Sequence, residues 1–444
     1  MVTRMATRMQ TAPDGATTAA ERPARARHRR ARRASRGRVM GLLFLGLTAC
    51  GDDLLDVTNP SSVQESDLDN PALAVTLLNS ALGQFECVYS NYVVAAGMLS
   101  HEYINASSWL DINSWGWRGL ELKTIAGSCP GGRDATGLGA YTPLQQARYL
   151  AENAAARIEA FPDDRVEDKA QKLGLLNAYA GYSYVLLGEG FCEMAIDQGP
   201  LMTPAQVFAL AEERFTAAAA FAQTAGNARL GQMALAGRAR ARLDLGNLAG
   251  AAADAEQIPA GFVWNAEYAT VEGRRENRVY NLNRRNRYIS VAPDDYGNVR
   301  LANGAPDPRV PVSNSGLVGH DGATIHWYQM KYNTAAAPIP MASWREAQLI
   351  LAEARPGEAV AAINRLRASQ SIPALALAGG ENMLSVVLEE RRRQLFSEGH
   401  RLNDMLRHDL PFPTGFNHKG QAWGPITCMP LPDQERLNNP NIGP

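Results

Sequence analysis

The sequence predicts a mostly α-helical protein with long loops and a few short hairpins. Three observations carry that prediction. In residues 384–407 (LSVVLEERRRQLFSEGHRLNDMLR), Leu384, Leu388, Leu395, Leu402 and Leu406 recur at steps of four, seven, seven and four, one face of a helix too long to be a strand. Across residues 71–255, apolar and small residues recur at helical spacing between Gly and Pro breaks. Across residues 261–341 that period disappears, and Asn, Gly, Pro, Arg and aromatic residues dominate.

The N-terminus reads as an address. Before Val39 there are eleven arginines against only Asp14 and Glu21. Residues 39–49 are uncharged, and eleven residues fall short of the roughly 20 that a membrane-spanning helix needs. A basic lead and a short apolar core make a secretory signal. It ends in Leu47-Thr48-Ala49-Cys50, which looks like a bacterial lipoprotein cleavage box. Residues 1–49 are then removed, Cys50 carries the lipid anchor, and the polar segment 50–70 is a tether. Asp52 and Asp53 just after the lipid cysteine resemble a surface-export cue. From Cys50 onward 33 basic residues face 43 acidic ones, a net of −10 that argues against a nucleic-acid partner. Four cysteines remain, and in an exported protein they imply two disulfides with three possible pairings. Cys87 with Cys129 and Cys192 with Cys428 is the preferred set, and the spacing has no zinc pattern.

The elements follow in order. Asn70 and Pro71 suit the cap and first turn of a helix whose stripe is Leu73, Leu77, Leu78 and Leu82. A break near Cys87 separates it from a second helical segment, 93–103. Residues 106–119 read as a loop holding Trp109, Asp111, Asn113, Trp115 and Trp117 without period. Helices are predicted over 141–161, 166–187, 203–224 (Thr203 and Pro204 as cap and first turn), 228–243 and 246–255. Their helix-turn-helix rhythm and large-with-small alternation resemble tetratricopeptide-type pairs. Residues 261–341 form a loop-rich insertion with short pieces at 287–291 and 323–328. Helices return at 343–354 and after the Pro356-Gly357 turn, so helical repeats cover about 71–255 and 343–407. Residues 71–444 are read as one domain.

Two positions in the C-terminal stripe are not apolar. Arg391 is costly to bury unless a carboxylate meets it, and Glu390, Glu398 and Asp404 are the nearby candidates. Gly399 gives up about 1 kcal/mol of helix propensity against alanine, which implies a close approach of another helix or loop. The run Glu389-Glu390-Arg391-Arg392-Arg393-Gln394-Leu395, then Glu398-Gly399-His400-Arg401, then Asp404 and Arg407, resembles the C-terminal signature of the SusD/RagB family. Gln394 and Met405 are mild departures from it. Arg345-Glu346, Ala352-Glu353-Ala354, Ile363-Asn364 and the Pro430–Pro440 tail resemble further family elements in the family's order. The resemblance implies a SusD-like helical body in which Arg391, Glu398, Gly399, Arg401, Asp404 and Arg407 are structural. It further implies a lipoprotein of the outer membrane, facing the cell exterior. Such a protein captures an oligosaccharide or similar nutrient and delivers it to a SusC-like TonB-dependent barrel. It needs no cofactor and breaks no bond.

The residues themselves point the same way. There is no G-x-S-x-G, H-E-x-x-H or P-loop motif. Glu389 and Glu390 are adjacent, so on a helix they point about 100° apart and cannot share a substrate. His400, Asp404 and His408 share a helix face but span about two turns, too far for one metal ion. Sugars offer apolar C–H faces to aromatic rings and hydroxyls to Asp, Asn and Arg. Trp109, Asp111, Asn113, Trp115 and Trp117 supply both kinds and are the candidate ligand residues, with the alternative for each tryptophan that it fills the core. Trp264, Tyr268, Trp327 and Tyr328 rank lower. Two other classes remain: an extracytoplasmic repeat scaffold that binds only proteins, and a secreted hydrolase using two distant carboxylates.

Overall fold

The computed structural model describes residues 65–129, 137–377 and 379–442. The expected signal, Cys50 and most of the tether lie outside the described residues. α1 (Ala74–Leu99), α2 (Leu110–Gly116) and α3 (Leu122–Ile125) lead into five helices that pack in chain order. These are α4 (Tyr141–Ala160), α5 (Lys169–Gly190), α6 (Pro204–Thr224), α7 (Ala228–Asp244) and α8 (Leu248–Ala255). Their starts are chemical: Thr203 and Gln206 form a reciprocal capping box, Asn227 caps α7 and Asn247 caps α8. The large-with-small alternation is resolved at Phe215 of α6. A Cβ on Gly181 of α5 or Gly237 of α7 would come within 2.9 and 2.3 Å of its ring, so the two glycines let three helices close around one aromatic.

α1 does not break at Cys87. It continues to Leu99, and every residue from Gln84 to Leu99 is buried. A helix buried all round has no polar face, so its sequence carries no amphipathic period to read. Two of its buried amides donate to backbone carbonyls of other segments: Asn91 to Gly139 at 2.8 Å and Gln84 to Pro143 of α4 at 3.3 Å.

Strands occur in two-stranded antiparallel ladders: β1 (Tyr103–Asn105) with β5 (Ile289–Val291), β2 (Met194–Ala195) with β3 (Leu201–Met202), β4 (Val263–Ala266) with β8 (Ile339–Ser343), and β6 (Val312–Val318) with β7 (Ile325–Gln329). Between them lie α9 (Arg278–Tyr280) and α10 (Pro293–Tyr296), and after them α11 (Trp344–Ala354), α12 (Ala359–Ala368), α13 (Met383–Gln394), α14 (Arg401–Arg407) and α15 (Asp433–Asn438). The predicted piece at 287–291 is thus a strand on distant β1, not half of a local hairpin.

The C-terminal signature is two helices, not one. α13 stops at Gln394, and the bend before α14 places Ser397 at φ 62° and Gly399 at φ 88°. Gly399 answers a left-handed backbone rather than a steric approach, since a Cβ there meets only ordinary contact with Tyr92 at 3.4 Å. Polar groups of the bend are taken up from elsewhere. The Ser397 amide donates to Glu102 at 3.1 Å, the Tyr332 hydroxyl donates to the Ser397 carbonyl at 3.0 Å, and Lys331 donates to the Phe396 carbonyl at 2.8 Å. Arg391 is buried and its Nε lies 2.9 Å from Asp404 across the bend. Glu390 instead accepts from Arg309 and Arg367, and Glu398 from Lys331. Arg407 joins Glu353 and Asp404, while Arg401 makes no ion pair among the described residues.

Cys192 and Cys428 form a disulfide with Cα atoms 5.3 Å apart, beside backbone bonds from Cys192 to Met429 and from Met429 to Gly190. Cys87 and Cys129 carry free thiols, which corrects the expected Cys87–Cys129 bridge. The Cys129 thiol donates to the Gln84 carbonyl at 3.8 Å, and the neighbouring Cys87 thiol together with burial pushes it up, away from the thiolate that exchange requires.

Three outcomes follow. Alkylation of the unreduced, denatured protein will label Cys87 and Cys129 and leave Cys192 and Cys428 unlabelled by mass. Cys428→Ser will lose roughly 2–5 kcal/mol in urea unfolding, and an unchanged midpoint would show that the bridge is absent. The third outcome concerns Glu102, whose burial, only partly offset by the Ser397 amide and nearby cations, raises its pKa from 4.5 to about 7. A carboxyl raised in the native state supports folding below its unfolded pKa and loses that support as pH rises through about 7. Glu102→Gln removes this dependence. Measured by denaturation between pH 4 and 8, the variant will gain on wild type with rising pH by up to roughly 3 kcal/mol, and a constant difference would refute the raised pKa.

Candidate functional site

Three chain segments that are remote in sequence meet at one cavity. The first is β1 with the stretch that follows it into α2. The second is the β6–β7 turn, and the third is the turn 417–421. The close approach of the first two depends on Gly319, where a Cβ would lie 2.5 Å from the Cβ of Ala106 and 2.6 Å from its carbonyl oxygen. The Asp321 amide then donates to the Ala106 carbonyl at 3.0 Å. The third segment is tied in by His418, whose Nε2 donates to the Asn105 carbonyl at 2.8 Å, and by Lys419, which donates to the Ser107 carbonyl at 2.8 Å.

The cavity has a volume of about 750 Å³ and is lined among others by Ser107, Ser108, Asn113, Thr324 and Gln421. Asp321 is its one lining carboxylate among the described residues, and it is fully engaged. It accepts from Lys419 at 2.7 Å, from the Thr324 hydroxyl at 2.6 Å and from the Ala323 and Thr324 amides at 3.0 and 2.9 Å. Burial works against its charge, but these donors outweigh burial and hold the carboxyl well below the usual carboxylate range. Burial also lowers the pKa of His418, which favours the neutral imidazole. The Asn113 oxygen accepts from Asn105 at 2.8 Å, and its amide nitrogen has no partner among the described residues. An exposed aromatic surface stands beside the cavity: Trp109, 38% exposed, packs on Tyr288 at 5.2 Å and meets His320 edge-on at 5.8 Å.

The five candidate ligand residues separate. Trp109 and Asn113 flank and line the cavity. Trp115 is 0% exposed and belongs to the main core. Trp117 is half-buried with its ring over Gly119, and Asp111 is half-buried on α2. The predicted loop is in fact partly helical, because α2 begins at Leu110. Tyr268 is buried, and Trp264 packs under the Arg229 guanidinium. His400, Asp404 and His408 do not converge: Asp404 holds Arg391, and His408 pairs with Glu353 at 3.0 Å. Sequence reasoning missed Asp321, Thr324, His418, Lys419 and Gln421. Their only local sign was turn chemistry at Asp321-Gly322 and Lys419-Gly420.

Residues 345–441 match the family model described as the SusD family. No curated protein matches the chain. Solved structures do. A SusD-like carbohydrate-binding protein from Bacteroides vulgatus matches with TM-score 0.59 at 14% identity, over 84% of this chain and 97% of its own. NanU of B. fragilis and a SusD homolog from Bacteroides thetaiotaomicron each match with TM-score 0.62 at 13% identity, over 86% of this chain and 98% of theirs. At such identity the likeness speaks for the fold. The chain is SusD-like in fold, and its C-terminal segment carries the sequence pattern of the SusD family.

Proposed function

We propose that this protein is a surface lipoprotein that captures a glycan and hands it to a SusC-type TonB-dependent barrel. The observation that carries the proposal is the cavity between β1, the β6–β7 turn and the turn 417–421, with Trp109 beside it. Its volume of about 750 Å³ suits a few sugar rings. Trp109 offers a face for C–H groups, while Asn113, Ser108 and Gln421 offer neutral hydrogen-bonding groups to hydroxyls. The carbohydrate-binding description of the Bacteroides vulgatus protein supports the same ligand class. Hydrolysis is disfavoured, because among the described residues the one carboxylate lining the cavity is locked in an ion pair and no second one lines it. Attachment in this reading is through a lipid on Cys50, on the strength of the Leu47-Thr48-Ala49-Cys50 sequence; among the described residues no helix is long and apolar enough to cross a membrane. In this reading the body is a tethered lid, and ligand shifts its balance between open and closed positions on the barrel.

Binding of purified protein to a panel of oligosaccharides, by calorimetry, tests the capture step. A glycan that binds wild type will bind Trp109→Ala about tenfold more weakly, from the loss of one stacking contact, and Asn113→Ala several-fold more weakly. Equal affinity in all three proteins would move the site elsewhere. A pull-down from gently solubilised outer membranes tests delivery: a large TonB-dependent barrel in near-equal amount is the expected partner, and its absence would remove the lid mechanism.

A further inference from the structure

A second cavity, of about 510 Å³, lies between the turn after α1, α10 and the signature segment. Here the imidazole of His101 and the carboxylates of Asp294 and Asp295 come together, with one ligand atom of each all within 4.8 Å of one another. We propose that these three side chains form a divalent-cation site suited to zinc, with Ser100 completing the pocket around the ion. One imidazole with two carboxylates is a donor set that favours a borderline ion such as zinc, whereas calcium asks for six to eight oxygens.

An independent observation points to a ligand. Ser100 lines the same cavity, is only 4% exposed, and its hydroxyl has no hydrogen-bond partner among the described residues. An unpaired buried hydroxyl is unfavourable, and an ion or an ion-bound water would pair it. The charge balance permits a cation. The charged side chains lining the cavity are Asp294, Asp295 and Glu389 against Arg392 and Arg401. Arg392 is already neutralised by Glu389, through bonds of 2.6 and 2.9 Å. The His101 ring is held in place by the edge-on contact with Trp423 at 5.7 Å, and its Nδ1 sits 2.9 Å from Asp295. Bound there, the ion would clasp the end of α1 to α10 beside the bend between α13 and α14, a structural role rather than a catalytic one.

The test uses the folded mature protein, stripped with chelator and titrated with zinc chloride by calorimetry, with thermal unfolding followed in parallel. The expected result is one zinc per chain and a Tm that rises with zinc concentration. Asp294→Asn and Asp295→Asn, both at exposed positions, will keep the native circular dichroism and weaken zinc binding at least about tenfold. Cobalt in place of zinc will give a visible spectrum in wild type that His101→Gln abolishes. Absence of stoichiometric zinc binding would overturn the proposal. So would zinc binding that is unchanged in the aspartate variants, or calcium bound in preference to zinc.

Discussion

The buried pairing of Arg391 with Asp404 is the constraint on which the C-terminal half depends. A guanidinium taken out of water needs carboxylates in fixed places, and here they come from several elements. Asp404 lies across the bend, Glu353 comes from α11 at 3.8 Å, and Arg407 binds both of those acids. Asp244 at the end of α7 joins through Asn403 at 2.8 Å. Burial opposes the charge on Glu353, but His408, Arg391 and Arg407 overcome it and hold that carboxyl well below the carboxylate range. Ion pairs of this kind add little net stability over apolar replacements of the same shape, and removing one partner alone is what costs several kcal/mol. Their effect is therefore geometric. An arrangement that fails to bring α7, α11, α13 and α14 together leaves a charge uncompensated.

That lock explains why the bend between α13 and α14 is tolerated. Left-handed backbone at Ser397 and Gly399 interrupts helical hydrogen bonding, and the free groups are paid for by side chains from other elements. Two of these lie in the stretch after α1: Glu102 accepts the Ser397 amide, and the Tyr103 hydroxyl bonds the Ser397 side chain. Tyr103 opens β1, and Asn105 closes it. Asn105 in turn orients Asn113 and receives His418. Hydrogen bonds at the two ends of β1, joined through its backbone, thus link the signature segment to the cavity, although no signature residue lines that cavity.

The same residues show what a sequence makes legible. α4, α6, α7 and α8 keep solvent faces, so their apolar stripes and the Thr203, Asn227 and Asn247 caps stand out, while α5 is buried from Leu176 to Gly190. α1 is buried on every side through its second half, and burial on all faces erases the period. The two-helix signature was hidden for a different reason. Leu395 and Leu402 are both buried despite the bend between them, so the spacing of leucines passes through the break unchanged. Trp109 and Trp115 look alike in sequence. What separates them is the start of α2 at Leu110, which turns one outward and the other into the core. Asp321 and Lys419 sit in aperiodic turns 98 residues apart, and only the folded chain brings them to 2.7 Å.

The electrostatics of the cavity bear on what it can recognise. Its one lining acid and its lysine satisfy each other, and Lys419 also caps the Ser107 carbonyl. A charged ligand would have to break that closed pair, giving up several hydrogen bonds to a deeply ionised carboxylate. A neutral polyol meets no such obstacle, since the groups left available are the amides of Asn113 and Gln421, hydroxyls, and the face of Trp109. The pre-formed Asp321–Lys419 pair also fixes the β6–β7 turn against the turn 417–421, so little ordering remains to oppose binding. Affinity for an uncharged sugar would then depend weakly on salt, because no ion pair is made or lost when it binds. That property separates the proposed glycan from an acidic peptide or an anionic sugar on physical grounds alone.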